Sequence, residues 1–419
     1  MVIIFVDQIT PRIEYTLDFI FTQRGLEYRL TEDIGEKNVH LSYSAKKVQG
    51  AWIGRVPLLS ENGVSEQKLT NGLFQNEECF AFDGVVDPLA SIFYHLTRYE
   101  EYLTHKKDEH GRFPMSESKI PDNWLEKTMC DRWAEEVLKF CGVNLKKSWG
   151  TTIIPTFDID NAYAYKLKTG SRKVLSVLKD ISKVDIFRIK ERSSVQKGDK
   201  DPYDTYSLIR KINKRFSATR VFWLVGEKGM YDRNISIKNR DHRQLIRNMK
   251  SSGITIGLHP TYGSFNEGRT IAMEKSKLEV IVFEQVTNSR QHYLRFSLPR
   301  TYRILEKIGF KDEYSMGFAE RVGFRCGTAR AHLWFNLEKN KVSRLTVHPF
   351  AYMDGTLREY MNLSIDESKS KISDLYDEVK RYGGDFVFIW HNETIGDYGN
   401  WKGWSDVLNH SLNLEDEQS

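Results

Sequence analysis

Four short stretches place metal-binding and proton-transferring side chains at the ends of apolar runs. The first is Pro155-Thr-Phe-Asp158-Ile-Asp160-Asn161, where the two-residue period of a strand sets Asp158 and Asp160 on one face. Paired carboxylates are costly there unless a cation or hydrogen bonds hold them. One natural division of labour makes one of them a metal ligand and the other a general base; a surface Asx turn is the competing structural reading. The second, Ile254-Thr-Ile-Gly-Leu-His259-Pro-Thr-Tyr262, ends in an imidazole, which reads either as a functional group at a barrel rim or as a hydrogen-bonded structural histidine. In the third, Ser289-Arg290-Gln-His292-Tyr-Leu-Arg295, alternation sets Arg290 and His292 on one strand face. The fourth, Phe386-Val-Phe-Ile-Trp390-His391-Asn392, closes an apolar run on a histidine. Each signal is weak alone, but their shared position at run ends makes them one expectation.

The elements that must position these groups follow from periodicity. Apolar runs of strand length fall at 152–157, 219–225, 254–258, 291–296, 343–347 and 386–390, with a weaker one at 314–318. Helical stretches lie between most of them. Asp241 with Gln244 and Ser364 with Glu367 have the spacing of capping boxes, and Gly253 and Gly383 stand where those helices would stop. Alternating β and α units imply a parallel sheet, open or closed into a barrel, and the strand count over residues 151–419 suits a (β/α)7 barrel. Residues 1–150 read as a separate α/β domain: a strand over Ile3 to Val6, a helix opened by Thr10-Pro11 with Ile13, Leu17, Ile20 and Phe21 on one stripe, and a helix over 88–103. Residues 60–86 have weak periodicity, and His105 and His110 fall in a polar loop read as solvated.

Composition narrows the function classes. With 419 residues, 40% hydrophobic, 28% charged and a mean hydropathy of −0.52, the chain has an ordinary globular core and no apolar run of membrane-spanning length. Cys79, Cys130, Cys141 and Cys326 are scattered, which suggests neither a disulfide framework nor a thiolate site and fits a reducing compartment. The net charge of +5 is uneven, because residues 166–200 hold eleven Lys/Arg against four Asp/Glu. That segment reads as a basic insertion after the first barrel strand, either a solvated excursion or a weak contact for an anionic substrate or membrane surface. Its only aromatic is Phe187, so it lacks the stacking ladder of a single-strand nucleic-acid binder, and no nucleic-acid partner is expected. No export signal is recognised at the N-terminus, and a cytoplasmic location is expected.

Over residues 151–400 the four stretches resemble the motifs of the polysaccharide deacetylase (NodB-homology) family, which removes N- or O-acetyl groups from glycans. Thr156-Phe-Asp158-Ile-Asp160 is similar to its T-F-D-D-G, His259 to the first histidine of H-[ST]-x-x-H, Arg290-Gln-His292-Tyr to its arginine motif, and His391 to its final histidine. Gly323-Phe-Arg325-Cys-Gly-Thr328 resembles a loop of divergent members. The resemblance implies a distorted barrel of about seven β/α units, a divalent ion with zinc foremost, and an acetylated carbohydrate substrate. It casts Asp158 as general base with Arg290 as its charge partner, Asp160 and His259 as metal ligands, and His391 as general acid. Gly263 stands where the second histidine ligand belongs. His292 is the candidate replacement; a water in the vacant position, or a site that binds no metal, are the alternatives. Tyr262, Tyr293 and Trp390 are candidate linings of sugar subsites or simply barrel packing.

The principal expectation is thus a metal-dependent carbohydrate deacetylase, and the alternative is a non-catalytic, metal-free glycan-binding or scaffold protein on the same barrel. A third reading comes from Gly263-Ser-Phe-Asn-Glu-Gly268-Arg269-Thr270, one substitution from the phosphate-binding G-x-x-x-x-G-K-[ST] pattern. It lacks the lysine and a convincing Walker-B strand.

Overall fold

The computed structural model describes residues 1–143, 150–167, 186–226 and 229–415. Thr10 accepts from the Ile13 amide at 3.2 Å and starts the helix Pro11–Ile20, with Pro11 where a missing N–H costs nothing. Strands β1 (Val2–Val6), β2 (Tyr28–Thr31), β3 (Leu41–Ser44) and β4 (Ala51–Gly54) form a parallel sheet ordered β2-β1-β3-β4. The weakly periodic stretch 60–86 supplies β5 (Leu69–Phe74), β6 (Glu77–Phe82) and β7 (Val85–Val86), an antiparallel sheet with Gln75, Asp83 and Gly84 at positive φ in its turns. The helix expected over 88–103 stops at Leu96. Arg98 turns left-handed at φ 54° because its guanidinium is drawn to Glu100, Glu101 and the Arg325 carbonyl, a tertiary cause invisible in local periodicity.

The second part of the chain is built on one nine-stranded sheet. Its strands are β8 (Thr151–Ile159), β9 (Arg220–Leu224), β10 (Thr255–His259), β11 (Asn288–Ser289), β12 (Asp312–Glu313), β13 (His332–Asn336), β14 (Lys341–Val347), β15 (Tyr352–Met353) and β16 (Gly384–His391). The order is β13-β14-β12-β11-β10-β9-β8-β16-β15, parallel throughout except for β13 against β14. The alternating parallel units agree with expectation. Closure does not: among the described residues β13 and β15 end the sheet without pairing to one another. β13 turns instead toward the N-terminal region, where Phe335 and Leu337 enter the core made by β1 to β6 and their helices.

Three local expectations need correction. The strand expected at 291–296 is absent; after the two residues of β11 the backbone turns at His292–Leu294, with Tyr293 at φ 60° and Leu294 at φ 52°. The weak candidate at 314–318 is displaced to Asp312–Glu313. Asp241 and Gln244 do not form a capping box, because Asn239 is the cap and accepts from the Asp241 and His242 amides. The Ser364–Glu367 box is present at the start of Ile365–Tyr382, and Gly383 ends that helix at φ 79°.

Alternation along the strands sorts the side chains into two layers. Ile153, Phe157, Val221, Trp223, Ile256, Leu258, Phe388 and Trp390 pack outward against helices. Ile154, Phe222, Val387 and Ile389 meet Leu294, Ala319 and Phe350 on the inner face. Asp158, His259 and His391 have the inner parity and stand at the C-terminal strand ends, so the inner core becomes polar at one rim. Residues 168–185, the middle of the basic stretch 166–200, lie outside the described residues; its end, Ile186–Gln196, is helical. Among the described residues no helix is long and apolar enough to cross a membrane.

Candidate metal centre and active-site cavity

Asp158 stands near the end of β8 and Asp160 just beyond it, and their neighbours come from strands on both sides. Arg290, just after β11, reaches back across the sheet and donates from Nη1 to Asp158 Oδ1 at 2.9 Å. The guanidinium is wholly buried, lies 4.4 Å from the centre of the Phe222 ring, and donates from Nε to the Tyr314 carbonyl at 3.0 Å. Gly257 permits this stack: a Cβ there would lie 2.6 Å from the Phe222 ring.

The two imidazoles are oriented by what their Nδ1 atoms bond. His259 donates from Nδ1 to the Arg290 carbonyl at 2.7 Å, leaving Nε2 turned toward Asp160 Oδ1 at 3.2 Å. His292 donates from Nδ1 to Asp232 Oδ1 at 3.0 Å, leaving Nε2 at 3.4 Å from Asp160 Oδ2. One donor atom of each of Asp160, His259 and His292 lies within 4.8 Å of the others. Ligands about 2.0–2.1 Å from a shared tetrahedral ion stand about 3.3 Å apart, and each imidazole lies near that distance from one oxygen of Asp160, His259 from Oδ1 and His292 from Oδ2. Asp160 Oδ1 is buried with no aligned hydrogen-bond donor, although an imidazole nitrogen stands 3.2 Å away. An oxygen so placed has a lone pair for a third centre, and the donor set fits a divalent ion. The chain thus brings together all three residues expected as ligands, with His292 delivered by a turn and not by the expected strand face.

Carboxylates and imidazoles shift one another strongly at this site. Burial alone would lower the His292 imidazole, but Asp160 and Asp232 push it up to about 9. Burial would raise Asp160, yet the facing His292 and His259 hold it well below the usual carboxylate range. His391, at the end of β16, is bound through Nδ1 to both oxygens of the wholly buried Asp354, at 2.9 and 3.1 Å. Burial lowers this imidazole, and Asp354 with Asp160 and Asp158 more than reverses that, raising it well above its ordinary value. Its Nε2 stands 3.8 Å from Asp160 Oδ2. Two positioning carboxylates, Asp232 and Asp354, escaped the sequence reading. Asp354 follows a strand of only two residues, and Asp232 lies in an aperiodic loop; their one signal was an acid shortly after a strand at the same rim.

Asp158, Asp160, His259, His292, Asp354 and His391 line a cavity of about 450 Å³, together with Arg112, Tyr203, Tyr293, Tyr360, Tyr398 and Trp401. Of the aromatics expected at sugar subsites, only Tyr293 lines it. Trp390 has outward parity and is fully buried, and Tyr262 is packed among His110, Tyr231 and Tyr293. His110 is therefore not a solvated loop residue; its Nδ1 stands 3.1 Å from the Tyr262 hydroxyl. Gly263 lies in the turn Tyr262–Ser264, where a Cβ would meet nothing within 4 Å, so a side chain there would face open space. The phosphate-loop reading also fails locally, since Glu267 stands at the cap of the helix Gly268–Val282 and Gly268 is packed on Ile304.

Comparison with known proteins adds little to this geometry. Residues 2–142 match a family of unknown function, DUF7033. No curated protein sequence matches the chain. Solved structures that overlap it include a Mycobacterium smegmatis protein assigned as a polysaccharide deacetylase, at 14% identity and TM-score 0.42 over 65% of this chain and 88% of that one. A polysaccharide deacetylase from Bacillus cereus overlaps at 11% identity and TM-score 0.31, over 64% of this chain and 88% of its own. A 4-alpha-glucanotransferase from Thermococcus litoralis overlaps at 15% identity and TM-score 0.37, over 64% of this chain and 38% of its own. The overlap is loose in each case, and the functional reading rests on the residues.

Proposed function

We propose that the chain is a metal-dependent hydrolase that removes acetyl groups, N-acetyl foremost, from a glycan or glycan precursor. The observation that carries this reading is the convergence of Asp160, His259 and His292 beside two separately oriented proton-transfer groups, Asp158 on Arg290 and His391 on Asp354. Asp160, His259 and His292 would hold a divalent ion, zinc foremost, which would supply polarisation of the acetyl carbonyl and a lowered pKa for water. Asp158, fixed by Arg290, takes the proton of the attacking water. His391, kept protonated by Asp354, gives a proton to the leaving nitrogen. The tyrosines and Trp401 at the cavity wall offer faces for sugar rings, and no helix of spanning length ties the described residues to a membrane.

Two measurements test the reading. Metal content after purification without chelator should be stoichiometric in the wild type and lost in Asp160→Ala. Acetate release from chito-oligosaccharides and acetylated sugar precursors should fall by about 10²–10⁴ in Asp158→Asn with metal content unchanged. Equal, near-zero metal in the wild type and Asp160→Ala would sink the hydrolase and favour the metal-free glycan-binding protein.

A further inference from the structure

The turn that delivers His292 is held in part from outside the nine-stranded sheet. Tyr293 sits at φ 60°, ψ 17° and Leu294 at φ 52°, so two consecutive non-glycine residues are left-handed immediately after the ligand. Such conformations persist only where the surroundings over-determine them. Leu294 is packed in the inner core and the Gln291 amide donates to Ser315 Oγ at 2.8 Å, while the bond to the Tyr293 carbonyl comes from the N-terminal region. Asp108 accepts from the amides of His110 and Arg112 at 2.9 and 2.8 Å and from Arg112 Nε at 2.6 Å, closing a tight loop that Gly111 completes at φ 76°. From that loop Arg112, 8% exposed, donates from Nη1 to the Tyr293 carbonyl at 3.0 Å. The same loop offers the His110 carbonyl to Arg295 Nε at 2.6 Å, and Arg295 Nη1 reaches the Tyr262 carbonyl at 2.9 Å. The Tyr262 amide in turn donates to Asp232 Oδ1 at 2.9 Å, the oxygen that orients His292.

We infer that Arg112 is a positioning residue for the metal centre: residues 105–113 of the N-terminal region clamp the strained turn at Tyr293 and so keep His292 aimed at the ion. This rests on the reading of His292 as a ligand. It gives the N-terminal region a part in the site although it contributes no ligand. Arg112 also lines the cavity, but its bond to the Tyr293 carbonyl bears on the residue next to His292, and so its loss should lower metal affinity.

The test uses the full chain, stripped of metal and titrated with zinc by chelator competition and with cobalt by its visible absorption. Arg112→Met, which keeps the buried volume, should bind zinc about 10- to 100-fold more weakly, with unchanged circular dichroism. Its cobalt spectrum should shift toward that of His292→Ala. Arg112→Lys, with one donor in place of a fork, should lie between, and it serves if the methionine variant fails to fold. Tyr293→Asn, which tolerates positive φ, should restore at least a few-fold of the affinity lost in Arg112→Met, a rescue that general destabilisation would not produce. If Arg112→Met and Arg112→Lys bind within twofold of the wild type while His292→Ala loses the metal, the clamp is refuted and the metal centre stands. If His292→Ala keeps the metal, or the wild type binds none, the ligand reading falls and the clamp falls with it.

Discussion

Asp354→Asn separates the acid from the metal more cleanly than any change to His391 itself. Asp354 is fully buried and accepts at four places: from the His391 amide at 2.9 Å, from His391 Nδ1 at 2.9 and 3.1 Å, from Thr394 Oγ1 at 2.5 Å and from the Gly355 amide at 2.7 Å. An amide of the same shape keeps the packing but replaces one acceptor by a donor and removes the charge. A hydrogen bond to a charged partner contributes about 1.5–3 kcal/mol. If that interaction is what readies His391, kcat/KM should fall about 10- to 150-fold at tenfold per 1.36 kcal/mol. The pH profile should move in a defined direction. Asp354 holds His391 above its ordinary value, so a wild-type acid stays protonated through neutral pH and loses activity on the alkaline side. Without the carboxylate that limb should move to lower pH. The assay is kcat/KM for acetate release across neutral and alkaline pH, with zinc content measured on the same samples, because Asp354 touches none of the three ligands. A rate loss with the alkaline limb unmoved would refute His391 as the acid held by Asp354, and an unchanged rate would refute its part altogether.

Further outcomes follow from other contacts. Asp232→Asn weakens the carboxylate that orients His292 and should cost about 10- to 100-fold in zinc affinity by chelator competition, with Asp158 and Arg290 still paired. His242 and His332 are buried and neutral, each lowered by burial to about 4, with Trp223 Nε1 donating to His242 Nε2 at 2.9 Å. Their folded values lie below the unfolded 6.5, so this stability is complete above about 6.5 and is lost as pH falls toward 4, about 3 kcal/mol for each histidine. Urea midpoints at the two ends of that window should differ accordingly, and His242→Gln should shrink the difference; a flat profile would contradict it.

Legibility in the sequence followed strand length. β8, β9, β10, β14 and β16 are long enough for apolar runs to announce them, and the residues that end them, Asp158, Asp160, His259 and His391, could be placed at one rim before any coordinates. Arg290 was paired with Asp158 only through the family resemblance, since the strand expected at 291–296 is absent and β11 ends at Ser289. His292 was placed at the site by an alternation that does not exist there; it arrives by a left-handed turn whose cause lies in distant partners. Asp232, Asp354 and Arg112 belong to loops or to a two-residue strand, where no period exists to read. The end of the helix at Leu96 was hidden for the same reason, since Arg98 answers to Arg325 and two glutamates and not to its helical neighbours.

The two histidine ligands show why the site needs supports of unequal extent. His259 ends a strand paired on both flanks, β9 on one side and β11 on the other, and its Nδ1 donates to the carbonyl of Arg290, the residue just after β11, whose amide bonds Leu258. Its orientation is a by-product of the sheet. His292 has no such inheritance. With Gly263 in a turn that faces open space, the second imidazole must come from the far side of β11, and the backbone reaches that position only by placing Tyr293 and Leu294 in a region that costs of order 1–3 kcal/mol for each residue. A turn left to itself would relax and carry the imidazole away. Asp232 fixes the ring, and the Arg112 loop bonds the backbone beside it, so two loop contacts add to the inner-core packing of Leu294 where no strand ladder holds His292. The asymmetry predicts a difference in tolerance. Substitutions in the distant contacts should change how His292 meets the ion while leaving His259 in place, which would appear in a cobalt-loaded protein as loss of one imidazole ligand with the other retained; simultaneous loss of both would mean that the two are held as one unit and that this division of labour is wrong.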